Sequence, residues 1–145
     1  MSSQTRWPSQ AATNEMVEVP VSWDFAGAAD LVRTPMVADG QDQSASIQGT
    51  AVSFILYTGI VGHFRVKLKQ SWPWLLGGHL DVATGDADPA APFTVKVCHD
   101  PAAIQDAANP QLAIQVFDAA GVAANPPAGH TLWGSLHFRN RRVGS

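Results

Sequence analysis

One cysteine, Cys98, stands in a chain of 145 residues. It cannot close a disulfide within the chain, which excludes a small secreted scaffold held by disulfides. Its place in the alternating run Phe93-Thr94-Val95-Lys96-Val97-Cys98-His99 reads as a small residue on a strand, not a nucleophile. Charge is scarce as well: 14% of residues are charged, against ~25% in an average domain. So neutral a surface suits coverage by other subunits, although a monomer rich in serine, threonine and glutamine would look the same. The net charge of -3 excludes nucleic acid as the main partner, because binding the phosphate backbone needs a basic surface. Arg139, Arg141 and Arg142 form a basic cluster near the C-terminus. Long apolar runs are missing too. Nothing approaches the roughly 18 residues that a membrane-crossing helix needs, and Met1 to Pro8 lacks the apolar run of a signal peptide. The expectation is a soluble protein, made in a cytoplasm, with no membrane partner.

Catalytic signatures are also lacking. There is no phosphate loop, no Gly-x-Ser-x-Gly elbow and no dinucleotide glycine pattern. The histidines His63, His79, His99, His130 and His137 are scattered, and no two have the i, i+4 or i, i+2 spacing that sets two imidazoles on one side of a metal. Asp81, Asp86 and Asp88 cluster around Gly85 but lack the alternating carboxylates and closing glutamate of a calcium loop. The reading is therefore no enzyme, no cofactor and no metal.

What the chain does have is alternation. Val17, Val19, Val21, Trp23 and Phe25 take alternate positions, with Glu18, Ser22 and Asp24 opposite. Successive strand side chains point to opposite faces, so this is a strand, and Pro20 favours an edge or a bulge. A weaker strand covers 31–37, broken by Pro35. Asp39-Gly40 marks a turn, and Ile47 to Tyr57 reads as a long strand with a bulge at Gly49, Val52, Phe54 and Leu56 facing the core. Thr58 to Gly62 turns the chain into Phe64, Val66 and Leu68, which alternate with Arg65, Lys67 and Lys69. Trp72-Pro73-Trp74 begins a compact aromatic connection, and Leu80 and Val82 suggest a short strand. Phe93 to His99 follows. Asp100-Pro101 then has the form of a helix cap with proline at the first helical position, for two turns over 102–108. Leu112, Ile114 and Val116 make one more strand, and Leu132, Leu136 and Phe138 the last.

Eight or so strands with one short helix predict an all-β protein: an antiparallel two-sheet sandwich, jelly-roll or Ig-like, or a small barrel. A chain of 145 residues can bury roughly 68–70% of its unfolded surface as one domain. The division expected is a polar, aperiodic N-terminal arm over 1–14, held down by a neighbour, and a single domain over 15–145. Core packing is the first reading of Trp72 and Trp74, anchors at a subunit interface the second, and a stacking platform for a sugar ring, joined by Trp7, the third.

The ending, Val116-Phe117-Asp118-Ala119-Ala120-Gly121-Val122-Ala123-Ala124-Asn125-Pro126-Pro127-Ala128-Gly129 and then Leu132 to Asn140, resembles the closing hairpin of small virion proteins of tailed bacteriophages. There an Asp-Ala-x-Gly-x-Ala connection with proline and glycine leads to a final strand ending in Arg-Asn. Asn14 to Val37 resembles their opening strands, and together the two stretches cover about a third of the chain. The resemblance implies a structural role in the virion, as a capsid decoration or cement protein or a tail component. Its partners would be copies of itself, around a three-fold axis, and other virion proteins such as the major capsid or tail protein. Arg6, Trp7, Trp72, Trp74, Arg141 and Arg142 are the interface candidates, since tryptophan and arginine are enriched where interfaces hold tightest. The alternative is a carbohydrate-binding sandwich module using Trp72 and Trp74.

Overall fold

Two facing sheets satisfy this alternation in the computed structural model, which describes residues 16–43, 51–84 and 92–140. The first sheet contains β1 (Met16–Asp24), β2 (Val32–Arg33), β7 (Trp74–Thr84) and β10 (His130–Arg139). The second contains β5 (Val52–Tyr57), β6 (His63–Leu68), β8 (Thr94–Cys98) and β9 (Gln111–Phe117). Between β2 and β5 lies a small hairpin of β3 (Val37–Ala38) and β4 (Gln41–Asp42). The orders are β2-β1-β10-β7 and β5-β6-β9-β8, and every pairing is antiparallel. This is the two-sheet sandwich predicted; neither sheet closes into a barrel.

Each inward row comes from one strand's alternation. Val19, Val21 and Trp23 of β1, Phe64, Val66 and Leu68 of β6, and Leu112, Ile114 and Val116 of β9 are all buried. Leu132, Leu136 and Phe138 of β10 join them. Phe25 meets Phe64 edge-on at 5.5 Å between ring centroids, an orientation that suits the opposed signs of ring edge and face. Pro20 sits where β1 has β10 on one side, since β2 pairs only at Trp23 and Asp24, so its missing N–H breaks no pairing with β2.

Four expectations need correction. The last two strands do not form a hairpin: β9 belongs to one sheet and β10 to the other, and Asp118 to Gly129 carries the chain from one sheet to the other at one end of the sandwich. In β5, Val52 is buried but Phe54 is exposed and Ile55 takes the core position. A register shift against β6 between Val52 and Phe54 inserts one residue and reverses the phase. The stretch read as one strand over 31–37 is split into β2 and β3. Finally, β7 runs from Trp74 to Thr84, well beyond a short strand at Leu80 and Val82. Gly77 and Gly78 hid it. They lie opposite a register shift between His137 and Phe138, where the two strands come very close. A Cβ on Gly134 would run into the His79 carbonyl, and one on Gly78 into that of Ser135, so side chains are excluded at both.

The helix, α1 (Pro101–Gln105), starts as predicted, the Asp100 carboxylate accepting from the Ala102 N–H at 3.2 Å. It is shorter than two turns because the Asp106 carboxylate takes the N–H groups of Ala108 and Asn109, offering the backbone a turn in place of helix. Ile104 is fully buried, and its carbonyl accepts from the Trp72 N–H, so α1 plugs one end of the sandwich. The outer edge of β5 is not left open. Leu31 N–H donates to the Ile55 carbonyl, Tyr57 N–H to the Asp30 carboxylate, and the Arg33 guanidinium to the Val52 carbonyl. These bonds occupy groups that would otherwise invite a foreign strand.

Candidate binding surfaces

Of the six interface candidates, Trp72 and Trp74 fall within the described residues; Arg6, Trp7, Arg141 and Arg142 lie outside them, as do the arm at 1–14, Gly49, Asp86 and Asp88. The two tryptophans part company. Trp72 is a core residue, stacked on Phe138 at 5.2 Å and 15°, and so presents no surface to a partner. Its indole N–H has no acceptor among the described residues. Trp74 opens β7 at 45% exposure and meets His99 edge-on at 4.8 Å. One of the pair points in and the other out, so they cannot share a flat platform. No three metal-ligating side chains converge among the described residues. His79 and Asp81 approach to 3.8 Å on an exposed face, and Ser135 Oγ lies 3.3 Å from His137 Nε2.

The surface that the fold builds with most care is one end of the sandwich. There the turn between β5 and β6 abuts the connection between β9 and β10. Gly62 joins them: its N–H donates to Asn125 Oδ1 at 2.7 Å, and its carbonyl accepts from the Val116 N–H at 2.8 Å. Asn125 in turn donates to the Tyr57 hydroxyl. The connection is wound around Asp118, whose carboxylate accepts from the N–H groups of Ala120 and Val122, while its own N–H donates to the Val122 carbonyl. Ala124 N–H returns to the Val116 carbonyl. Turns are normally polar at their tips. These carry Ile60, Val61 and Val122, exposed at 63%, 52% and 60%, with the exposed Ala119, Ala120 and Ala123 in the same connection as Val122. All three large residues sit within turn chemistry, which hides them from a search for strands; the signal they do carry is apolar β-branched residues in a Gly-rich turn.

Two sheet faces complete the exterior. On the first, Trp133 projects at 53% exposure from the middle of β10, level with Ser22 and Asp81. On the second, Arg65 and Lys67 of β6 and Lys96 of β8 point outward with Phe54, Leu56, Gln111 and Gln115. Comparison with known proteins returns no matching family model, curated relative or solved structure. No helix among the described residues is long and apolar enough to cross a membrane.

Proposed function

We propose that this protein is a non-enzymatic structural subunit that holds copies of itself and neighbouring proteins together, in the virion setting to which its closing stretch bears a resemblance. The observation that carries the reading is the apolar end built on Gly62, Asp118 and Asn125. A cluster of aliphatic side chains on hydrogen-bonded turns is already ordered before contact, so little conformational entropy remains to be lost on binding. Fully burying an exposed Ile or Val side chain is worth about 1.5–3 kcal/mol, so these three, already partly covered at 52–63% exposure, supply roughly 3–5 kcal/mol. Association of two bodies costs about 4–15 kcal/mol. One such contact therefore holds weakly alone and firmly when repeated or combined with a second, which is how a decoration, cement or tail subunit works. The arm at 1–14 with Arg6 and Trp7, and Arg141 and Arg142 at the tail, would provide those second contacts.

The test is sedimentation of the full chain over a concentration series, against the double variant Ile60→Asp/Val122→Asp. The native protein should rise above its monomer mass of 15.4 kDa, and the variant should stay monomeric with an unchanged melting temperature. A native protein that remains monomeric throughout, or a variant that associates equally well, would refute the reading.

A second reading rests on Trp133, an exposed ring bordered by Asp81, Ser22 and Ser135, which are suitable partners for sugar hydroxyls. Trp74 does not complete a platform with it. Trp74 pairs with Arg139, six residues along β10 from Trp133 and so roughly 20 Å away. Saturable glycan binding lost in Trp133→Ala would replace the structural role with a carbohydrate-binding one.

A further inference from the structure

We infer that the outer face of the β5-β6-β9-β8 sheet docks an acidic, extended segment of a partner protein. The first observation is charge segregation. The chain carries net charge -3, yet these four strands contain no Asp or Glu. They hold Arg65, Lys67 and Lys96, and Lys69 follows directly after β6, so all three lysines of the chain gather here.

The second observation is that no carboxylate among the described residues forms an ion pair with them. The one ion pair found among the described residues is His79 with Asp81, on the other sheet. Lys67 is oriented by neutral oxygens, Asn109 Oδ1 at 2.9 Å and Gln111 Oε1 at 2.8 Å, which hold the ammonium in place without cancelling its charge. Among the described residues, four carboxylates near the face are taken up by the backbone. Asp30 accepts from Tyr57, Asp100 from Ala102, Asp106 from Ala108 and Asn109, and Asp118 from Ala120 and Val122.

The third is an apolar seat beside the cations. Phe54, 61% exposed, and Leu56 form one side of an open groove of about 510 Å³, the loop Ala107–Pro110 forms the other, and Lys67 and Lys69 lie along it. A chain that alternates carboxylates with apolar side chains matches this arrangement. Its apolar residues enter the groove on Phe54 and Leu56, and its carboxylates face Lys69, Arg65 and, two strands across and level with His63, so roughly 12 Å from Arg65, Lys96. Single-stranded nucleic acid fits less well. It needs a series of aromatic rings on which successive bases stack, and among the described residues Phe54 is the one large exposed ring of this face.

The experiment uses the full chain and fluorescence anisotropy with three labelled probes: a synthetic peptide alternating glutamate with leucine, its lysine–leucine counterpart, and an oligothymidine. The glutamate peptide should bind, and raising salt from about 50 to about 300 mM should weaken it several-fold, since screening shortens the reach of exposed charges. Lys69→Glu/Lys96→Glu should weaken it at least tenfold, with circular dichroism unchanged. The variant Ile60→Asp/Val122→Asp should bind it like the native protein, which separates this face from the apolar end. Equal binding of the lysine peptide, preference for the oligothymidine, or indifference to the charge reversal would each overturn the inference. So would a lower native mass in the charge-reversed protein, because the occupant would then be a second copy of this chain.

Discussion

Gly62→Ala tests whether the apolar end is a built structure or two loops that happen to be near each other. Two effects act together at this position. The backbone lies at φ +74°, in the left-handed region, which an alanine reaches at about 1–2 kcal/mol. The added Cβ would also stand 2.6 Å from the Val116 carbonyl oxygen and 3.0 Å from the Ala124 nitrogen. Both are backbone atoms of the opposing strand and connection, so neither can swing aside, and forcing them apart costs about 1–3 kcal/mol more. The expected loss is about 2–5 kcal/mol, which for a domain of this size lowers the melting temperature by roughly 4–20 °C. Gly59 supplies the control. It sits in the same turn at φ +88° with nothing within 4 Å of its would-be Cβ, so Gly59→Ala should lose about 1–2 kcal/mol, the backbone effect alone. Urea denaturation of both variants measures the difference. Hydrogen exchange adds a local readout, because the Val116 N–H bonded to the Gly62 carbonyl should exchange faster in Gly62→Ala. If the two variants are equally stable, the close approach at Gly62 does not exist and the ordered end described here is wrong.

Three further outcomes follow from the same geometry. Gly134→Ala, whose Cβ would meet the His79 carbonyl between two paired strands, should leave the protein largely insoluble, checked by its soluble yield. Phe138→Ala removes a fully buried ring that stacks on Trp72 and should cost about 3–5 kcal/mol in a denaturation midpoint analysis. Asn125→Ala takes the acceptor from the N–H of buried Gly62 and a donor from the Tyr57 hydroxyl, so it should cost about 1–3 kcal/mol and reduce self-association in sedimentation.

Much of the sandwich was readable along the chain because a strand's period of two is a local property. The inward rows of β1, β6, β9 and β10 were legible residue by residue, and so was the start of α1, where Asp100 and Pro101 act on their own backbone. Legibility failed wherever the deciding partner lies far away in sequence. The phase of β5 is reversed by a register shift against β6, and β7 extends through two glycines because β10 lies close against them. Trp72 and Trp74 are two residues apart with the same chemistry, yet one stacks on Phe138 and the other faces outward. By itself the sequence determined which residues can form strands, since alternation and capping depend on neighbours along the chain. The tertiary structure alone decided that β9 and β10 lie in opposite sheets, that Ile60, Val61 and Val122 share one end, and that the lysines gather on one face. Those outcomes depend on which strands pair, and pairing is settled by burying all the apolar rows at once, a condition no single segment contains.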